Sequence, residues 1–222
     1  MQRLVRGLHQ FQKQIFSTHR ELFERLEKVQ SPETLFITCS DSRIDPNLIT
    51  QTDPGDLFIL RNVGNLVPRY QDHIGSAAAA IEFAVSALKV KDIIVCGHSN
   101  CGAMQAVLKP DSLEALPAMR TWMSHAEETR RLVQENYGHL EGDARLTATV
   151  EENVLVQLEN LRTHPSVAQA LEAGSLRVHG WVYKIQTGEV FAYDADQAQF
   201  TPLAEAGLAP LDEAHRSSDL SI

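Results

Sequence analysis

Two short apolar runs of this chain each lead into a string of potential metal ligands and charged side chains. The string Cys39-Ser40-Asp41-Ser42-Arg43 follows residues 35–38, and the string His98-Ser99-Asn100-Cys101 follows residues 93–97. Runs of this length and composition are typical of strands that are buried on both faces of a parallel sheet. Parallel strands would bring both strings to one end of the sheet, where α/β proteins bind their ligands. The two runs therefore favour an α/β fold with a functional site at that end.

The order of the predicted elements along the chain agrees with such a fold. Strands alternate with helices, which predicts an α/β domain with a mainly parallel central sheet flanked by helices. We expect a single domain over residues 1–222, with a helical arm at 1–30 and a tail without clear periodicity at 195–222. Two alternating runs within residues 176–193 predict a hairpin. The other expected elements are strands at 34–39, 56–61 and 92–97, and helices at 3–15, 18–28, 74–89, 113–137 and 144–163, with Thr18 and Glu21 as a capping box.

Charge and composition exclude several classes of function. The net charge of −9 argues against a nucleic-acid partner, because phosphate binding needs a basic surface. The longest apolar stretch, residues 74–88, is rich in alanine and carries Glu82, so we interpret it as a buried helix and expect no membrane association. The N-terminus lacks the pattern of a signal peptide. Three cysteines fit a disulfide framework poorly, so we expect a reducing, cytoplasmic environment.

The candidate metal ligands are Cys39, His98 and Cys101. Two thiolates and an imidazole suit a tetrahedral Zn²⁺ ion, and three protein ligands leave one position open, as in catalytic zinc sites. A structural zinc site is an alternative, although such sites usually have four protein ligands. A Cys–His nucleophile pair is another alternative, but it leaves the second cysteine without a role. Cys96 lies inside an apolar run and is expected to be a core residue.

Asp41 and Arg43 stand beside the first candidate ligand. An arginine can hold a carboxylate through two parallel hydrogen bonds. If Arg43 holds Asp41, the open metal position stays available, and the carboxylate can accept a hydrogen bond from a metal-bound water. If Asp41 instead binds the metal, the site is closed. Both arrangements are chemically sensible.

Taken together, the two strings resemble the signatures of the β-class carbonic anhydrases. The resemblance extends to the segment Arg61-Asn62-Val63-Gly64-Asn65 and to His179-Gly180-Trp181. The N-terminal run and residues 45–50 resemble most the cyanobacterial branch that is associated with carboxysomes. The resemblance implies one Zn²⁺ per chain, bound by the two cysteines and the histidine. It also implies reversible hydration of CO₂ to bicarbonate and a proton by zinc-hydroxide attack, with Asp41 and Arg43 as the catalytic pair.

The resemblance also implies a set of substrate-binding residues. Gln30 matches a glutamine that binds bicarbonate across a subunit interface in plant-type members, and the backbone of Gly102 falls where the substrate is oriented. Some members are closed by bicarbonate at a site that contains a tryptophan, and Phe36 stands in its place here. We therefore expect an open, plant-type site with Asp41 on Arg43. Three apolar residues match the CO₂ pocket, with simple core packing as the alternative: Phe58, Val63 and Phe83.

Other functions and partners stay open from the sequence. Some relatives hydrolyse CS₂ or COS at the same type of zinc site, and a non-catalytic scaffold component stabilised by zinc is a second alternative. A homo-oligomer, a dimer or larger, is expected, because the N-terminal helices have no obvious partner within their own chain. Carboxysome shell or scaffold proteins, and a carboxysomal location, are further expectations from the resemblance. His73, in a polar loop, is a candidate proton shuttle.

Overall fold

A six-stranded sheet forms the centre of the described structure. The structure, a computed structural model, describes residues 1–70 and 74–203. The strands in chain order are β1 Thr34–Cys39, β2 Leu57–Asn62, β3 Asp92–His98, β4 Arg177–Tyr183, β5 Val190–Asp194 and β6 Gln199–Pro202. Their order across the sheet is β2-β1-β3-β4-β5-β6. The first four strands in this order are parallel, whereas β5 and β6 are antiparallel to their neighbours.

Helices precede the sheet and connect its strands. The α-helices in chain order are α1 Gln2–Gln10, α2 Phe16–Thr18, α3 Arg20–Leu26, α4 Pro46–Thr50, α5 Ser76–Glu82, α6 Gly102–Leu108, α7 Pro117–Met123, α8 Glu127–Tyr137, α9 Gly142–Arg162 and α10 Pro165–Glu172. Wider π-type turns occupy Phe11–Ile15 and Phe83–Leu88, and tighter 3₁₀ turns occupy Pro110–Leu113 and Ser124–Ala126. The predicted α/β fold, with a mainly parallel sheet flanked by helices, is confirmed.

The two central strands carry the core. Every residue of β1 after Thr34 is buried, and so is every residue of β3 after Asp92. Their apolar runs do not alternate with polar residues, because helices cover both faces of a parallel sheet. The two strands that lead into the predicted metal ligands are thus neighbours in the middle of the sheet.

Helix α9 packs closely on β3 and β4. Gly180 of β4 permits this contact, since an added Cβ would lie 2.9 Å from Val154 Cγ1 and 3.0 Å from Leu158 Cδ1. Helix α9 is 21 residues long and buries valine and leucine side chains against the sheet. It also buries three amide side chains: Asn153, Gln157 and Asn160. These buried polar groups indicate that the helix makes specific contacts in addition to covering the sheet.

Several predicted elements differ from the observed ones. The helix expected over 113–137 is broken into α7 and α8, because Pro117 begins a new helix and a 3₁₀ turn separates the two. Strand β6 lies in the tail for which no element was expected. The predicted capping box is wrong, because the Thr18 hydroxyl donates back to the carbonyls of Gln14 and Ile15.

The N-terminal arm leaves an apolar surface exposed. None of the described residues of α1, α2 or α3 is buried. Phe16 stacks on Phe23 at 5.1 Å between ring centroids, and Phe11 meets the Phe23 ring edge-on at 5.8 Å. Leu4 and Leu8 are 65% and 57% exposed. Packing of this arm on a neighbouring subunit stays a prediction.

Among the residues that the structure describes, no helix combines the length and the apolar character needed to cross a bilayer.

Candidate metal centre

The three candidate metal ligands converge at the carboxyl end of the central strands. Cys39 is the last residue of β1, His98 is the last residue of β3, and Cys101 immediately precedes α6. Their ligand atoms all lie within 4.8 Å of one another, and the two sulfurs are 4.0 Å apart. All three side chains are buried. The sheet therefore brings together a Cys–His–Cys group that could hold a metal ion.

The imidazole of His98 supports this assignment. Its Nδ1 donates a hydrogen bond to the Ser99 carbonyl at 2.9 Å, which leaves Nε2 as the nitrogen with a free lone pair. Within the described part of the chain, this buried Nε2 has no hydrogen-bond partner. A buried nitrogen without a partner is costly unless a ligand satisfies it. The sulfur and nitrogen donor atoms, the distances between them and the unpaired Nε2 fit a tetrahedral metal ion with three protein ligands.

The two thiols are joined by a hydrogen bond between their sulfurs. The pKa of Cys39 is lowered to about 4, chiefly because Cys101 donates a hydrogen bond to its sulfur, with a further contribution from the Gly64 N–H at 3.4 Å. The pKa of Cys101 is raised, first by that same hydrogen bond and then by burial. A metal would displace the remaining proton. Cys96 differs from both, since burial raises its pKa to about 12, and it lies in the core as expected.

Asp41 is held by Arg43 beside the ligands. Arg43 Nε donates to Asp41 Oδ1 at 2.9 Å, and Arg43 Nη2 donates to Asp41 Oδ2 at 2.7 Å. The Arg43 backbone N–H also donates to Oδ1 at 2.9 Å. These bonds hold the pKa of Asp41 well below its usual range. Asp41 Oδ2 lies 3.8 Å from His98 Nε2, so the ionised carboxylate borders the candidate metal position.

Arg43 and Arg61 also tie the two strings to each other and to the sheet. Arg43 Nη2 donates to the Asn100 carbonyl at 3.0 Å, which links the first string to the second. Arg61 donates from Nε to the Cys39 carbonyl at 3.1 Å and from Nη2 to the Asp41 carbonyl at 2.6 Å. Sequence reasoning did not assign these links, because their acceptors are backbone carbonyls, which leave no mark on residue type.

The predicted apolar residues lie in two places. Phe58 and Phe83 are in contact, with ring centroids 5.9 Å apart, and Phe83 is 46% exposed. Val63, 39% exposed, precedes Gly64, and its carbonyl accepts a hydrogen bond from Trp122 Nε1 at 2.7 Å. The exposure of Val63 and Phe83 excludes simple core packing as their role within a single chain.

Gly102 and Gln30, the two residues predicted to bind substrate through polar groups, lie at different positions relative to the candidate metal ligands. Gly102 is the first residue of α6 and follows Cys101 directly. Gln30 is exposed and lies before the start of β1, whereas Cys39 ends that strand. Six strand residues span about 20 Å. The role expected for Gln30 therefore requires a second copy of the chain. His73, the predicted proton shuttle, lies outside the described residues.

Comparison with known proteins identifies one protein family over most of the sequence. A family model described as carbonic anhydrase matches residues 34–190, which is more than half of the sequence. A carbonic anhydrase of Synechocystis sp. is 54% identical over 195 residues, which cover 87% of this chain and 71% of that protein.

Solved structures agree with the sequence comparisons. The β-carbonic anhydrase CcaA matches with a TM-score of 0.89 and 52% identity, over 91% of this chain and 98% of that one. A structure from a study of two tetrameric β-carbonic anhydrases of Sordaria macrospora matches with a TM-score of 0.78 and 28% identity, over 86% of this chain and 95% of that one. The family model alone spans strands β1 to β4, and with them the strand ends that carry the candidate metal ligands.

Proposed function

Because the chain belongs to the β class of carbonic anhydrases and is itself a carbonic anhydrase, we propose that one Zn²⁺ ion bound by Cys39, His98 and Cys101 serves its reaction. The proposed reaction is the reversible hydration of CO₂ to bicarbonate and a proton. The observation that carries the proposal is the buried Nε2 of His98, which lies without a partner beside two thiols in the described chain. When bound, zinc supplies Lewis acidity that makes hydroxide available at neutral pH.

Asp41 has the position and the charge to orient the reacting water. Arg43 donates to both of its oxygens, so the carboxylate stays ionised and cannot turn freely. An oriented carboxylate accepts a hydrogen bond from a water molecule and fixes the direction in which its lone pairs point. The structure has the arrangement with Asp41 on Arg43, which supports the open site that we expected from the sequence.

The proposed substrate-binding groups are an apolar surface and the start of helix α6. We assign Phe58, Val63 and Phe83 to the CO₂ pocket, because apolar side chains favour an uncharged gas over water. The backbone N–H of Gly102, in the first turn of α6, points toward the end of the helix where negative charge is stabilised. Gln30 would complete the bicarbonate site from a second copy of the chain.

A homo-oligomer and a cytoplasmic location belong to the same proposal. The exposed arm and the position of Gln30 before β1 both favour a neighbouring subunit, and the Sordaria macrospora structure comes from a study of two tetrameric β-carbonic anhydrases. All three cysteines are free thiols, the state that a reducing compartment maintains. Association with carboxysome shell or scaffold proteins remains a prediction from the resemblance.

Metal content and turnover, measured on the same samples, test the proposal. Purified wild-type protein should contain one zinc per chain and hydrate CO₂. Cys101→Ala should lose both, whereas Asp41→Asn should keep its zinc and lose activity by about 10²-fold or more, because only water orientation is removed. Sulfide release from CS₂ is the control for the alternative substrate.

Three results would contradict the proposal. Zinc-free wild-type protein with full activity would exclude the metal centre. Full activity of Asp41→Asn would remove the role of the carboxylate. Faster turnover of CS₂ than of CO₂ by the wild type would assign the site to the alternative hydrolase reaction.

A further inference from the structure

Helix α9 buries a row of amide side chains that the proposed chemistry does not use. Asn153 and Gln157 are 1% and 0% exposed, and Asn160 is also buried. Burying an amide costs free energy unless its donors and acceptors are satisfied. Leucine or valine would serve better at these positions if the helix only had to cover the sheet. The amides must therefore provide specific contacts.

Two of these amides hold the segment Gly64–Val67 at both of its ends. Asn153 Nδ2 donates to the Gly64 carbonyl at 3.1 Å. At the other end, Gln157 Oε1 accepts the N–H of Val67 at 2.7 Å. The segment is not part of a strand or helix, so its backbone groups depend on side chains for their partners.

The same segment contacts a metal ligand. The Gly64 N–H donates to Cys39 Sγ at 3.4 Å. Gly64 has a φ of +83°, and an added Cβ would lie 3.0 Å from Ala103 Cβ, so this close approach to the ligand needs glycine. The N–H of Gly64 thus faces the ligand sulfur while its carbonyl faces helix α9.

Asn153 cannot turn its amide away from this carbonyl. Its Oδ1 accepts from the Thr129 hydroxyl at 3.2 Å and from Gln157 Nε2 at 3.1 Å. Gln157 Oε1 accepts from the Val67 N–H, so Gln157 turns its NH₂ group toward Asn153, and only an oxygen can accept there. The opposite side of the Asn153 amide must therefore carry its own NH₂ group. The network therefore specifies that a donor points at Gly64.

We propose that Asn153 is a positioning residue that acts through Gly64 on the Cys39 ligand. It fixes the Gly64 peptide so that its N–H stays directed at the ligand sulfur. A hydrogen bond to a metal-bound thiolate withdraws electron density from the sulfur and orients it. The inference rests on the proposed metal centre, because it concerns how one of its ligands is held.

The test replaces the donor and measures the metal rather than turnover alone. Asn153→Asp keeps the shape but puts an oxygen opposite the Gly64 carbonyl, and Asn153→Ser is too short to reach it. Both variants should bind Zn²⁺ about 10- to 100-fold more weakly in competition with a chelator. In the Co²⁺-substituted protein, the sulfur-to-metal charge-transfer band should shift. Thr149→Val is the matched control, since Thr149 is buried on the same helix and its hydroxyl donates to the Arg145 carbonyl at 2.7 Å rather than to Asn153.

The outcomes separate this inference from the proposed function. Thr149→Val should keep the zinc affinity and the Co²⁺ spectrum of the wild type, whatever its conformational stability in urea. Wild-type affinity and spectrum in a folded Asn153→Ser protein would overturn the inference and leave the proposed function intact. Equal effects from Thr149→Val would also overturn it, because they would show a general response to substitution within helix α9. A wild type that binds no zinc would instead contradict the proposed function.

Discussion

At the scale of single residues, the candidate ligands are supported by backbone groups. Cys39 receives the N–H of Gly64, and His98 donates to the carbonyl of Ser99. Backbone supports of this kind do not depend on the rotamer of a second side chain, and they persist as long as the local fold persists. They also make the conformation of Gly64 a determinant of the site, because this residue donates to the sulfur while holding a φ of +83°.

Replacing Gly64 with alanine should destabilise the protein for two separate reasons. The positive φ costs about 1–2 kcal/mol for a residue with a Cβ, and the new methyl group would press on Ala103 at 3.0 Å. We expect the free energy of unfolding, measured in urea, to fall by about 2–4 kcal/mol. Gly188→Ala is the control, since Gly188 has a φ of +77° but no described atom within 4 Å of an added Cβ. An effect at Gly64 no larger than at Gly188 would show that the contact with Ala103 relaxes freely.

Residue types explain which parts of the site were predictable from the sequence. Cys39, His98 and Cys101 are predictable because thiols and imidazoles at the ends of two strands have few other uses. Asn153 and Gln157 were missed, although their spacing of four places both on one side of a helix. A row of amides on an otherwise apolar helix face is the signal that would have found them.

At the scale of elements, an ion pair joins the starts of β3 and β4. Asp92 and Arg177 are opposite each other in the sheet register. Arg177 donates to both carboxylate oxygens of Asp92, at 2.8 and 2.7 Å, and His179 Nε2 lies 2.8 Å from one of them. The pKa of Asp92 is lowered, chiefly by the Arg177 hydrogen bonds. This pair lies at the opposite end of the strands from the candidate metal centre.

The contribution of Asp92 to stability should disappear in acid. A carboxyl whose folded-state pKa lies below its unfolded value of about 3.9 stabilises the fold above that value and loses the effect as pH falls through the folded-state pKa. Asp92→Asn should therefore be less stable than the wild type at pH 7, and the difference should shrink below about pH 4. Urea unfolding across pH measures this. High salt should reduce the difference at pH 7, because Arg177 is exposed. A difference that stays constant down to pH 2 would rule out the ionic contribution.

Strands were predicted better than helices, for a physical reason. The runs that became β1 and β3 are buried on both faces, so their residue types report burial directly. Strand β6 was missed because it is an edge strand with only partly buried residues and no apolar run. The break between α7 and α8 depends on a tight turn over Ser124–Ala126, whose residues do not differ in type from helical ones.

At the scale of the whole molecule, the N-terminal arm leaves apolar side chains uncovered within a single chain. Its phenylalanine rings contact one another, yet Leu4, Leu8 and Ile15 remain 65%, 57% and 41% exposed. Apolar stripes of this size on a helix indicate an interface. The sequence predicted the helices, but the surface that we expect to cover them, on a second chain, cannot be derived from local patterns.

A charge on the apolar side of the arm should weaken the assembly. Leu8→Glu places a carboxylate where we expect contact with a neighbouring subunit, so sedimentation should show smaller species than the wild type at equal concentration. CO₂ hydration should fall in parallel, because Gln30 would no longer reach a neighbouring site. Gln10→Glu adds the same charge at a position that is already polar and should leave the mass unchanged. An unchanged mass for Leu8→Glu would exclude the arm from the interface.

Helix α9 gives the molecule one further property. It packs on β3 and β4 through Gly180, and its amides hold the segment that touches Cys39. Loosening of the segment Gly64–Val67 should therefore disturb α9, the longest helix in the described chain. Because α9 packs on β3 and β4, the middle of the sheet should be disturbed with it. We therefore expect fluctuation at the candidate metal centre to be coupled to global unfolding, so that amide hydrogens around the centre exchange with solvent as slowly as those of the core.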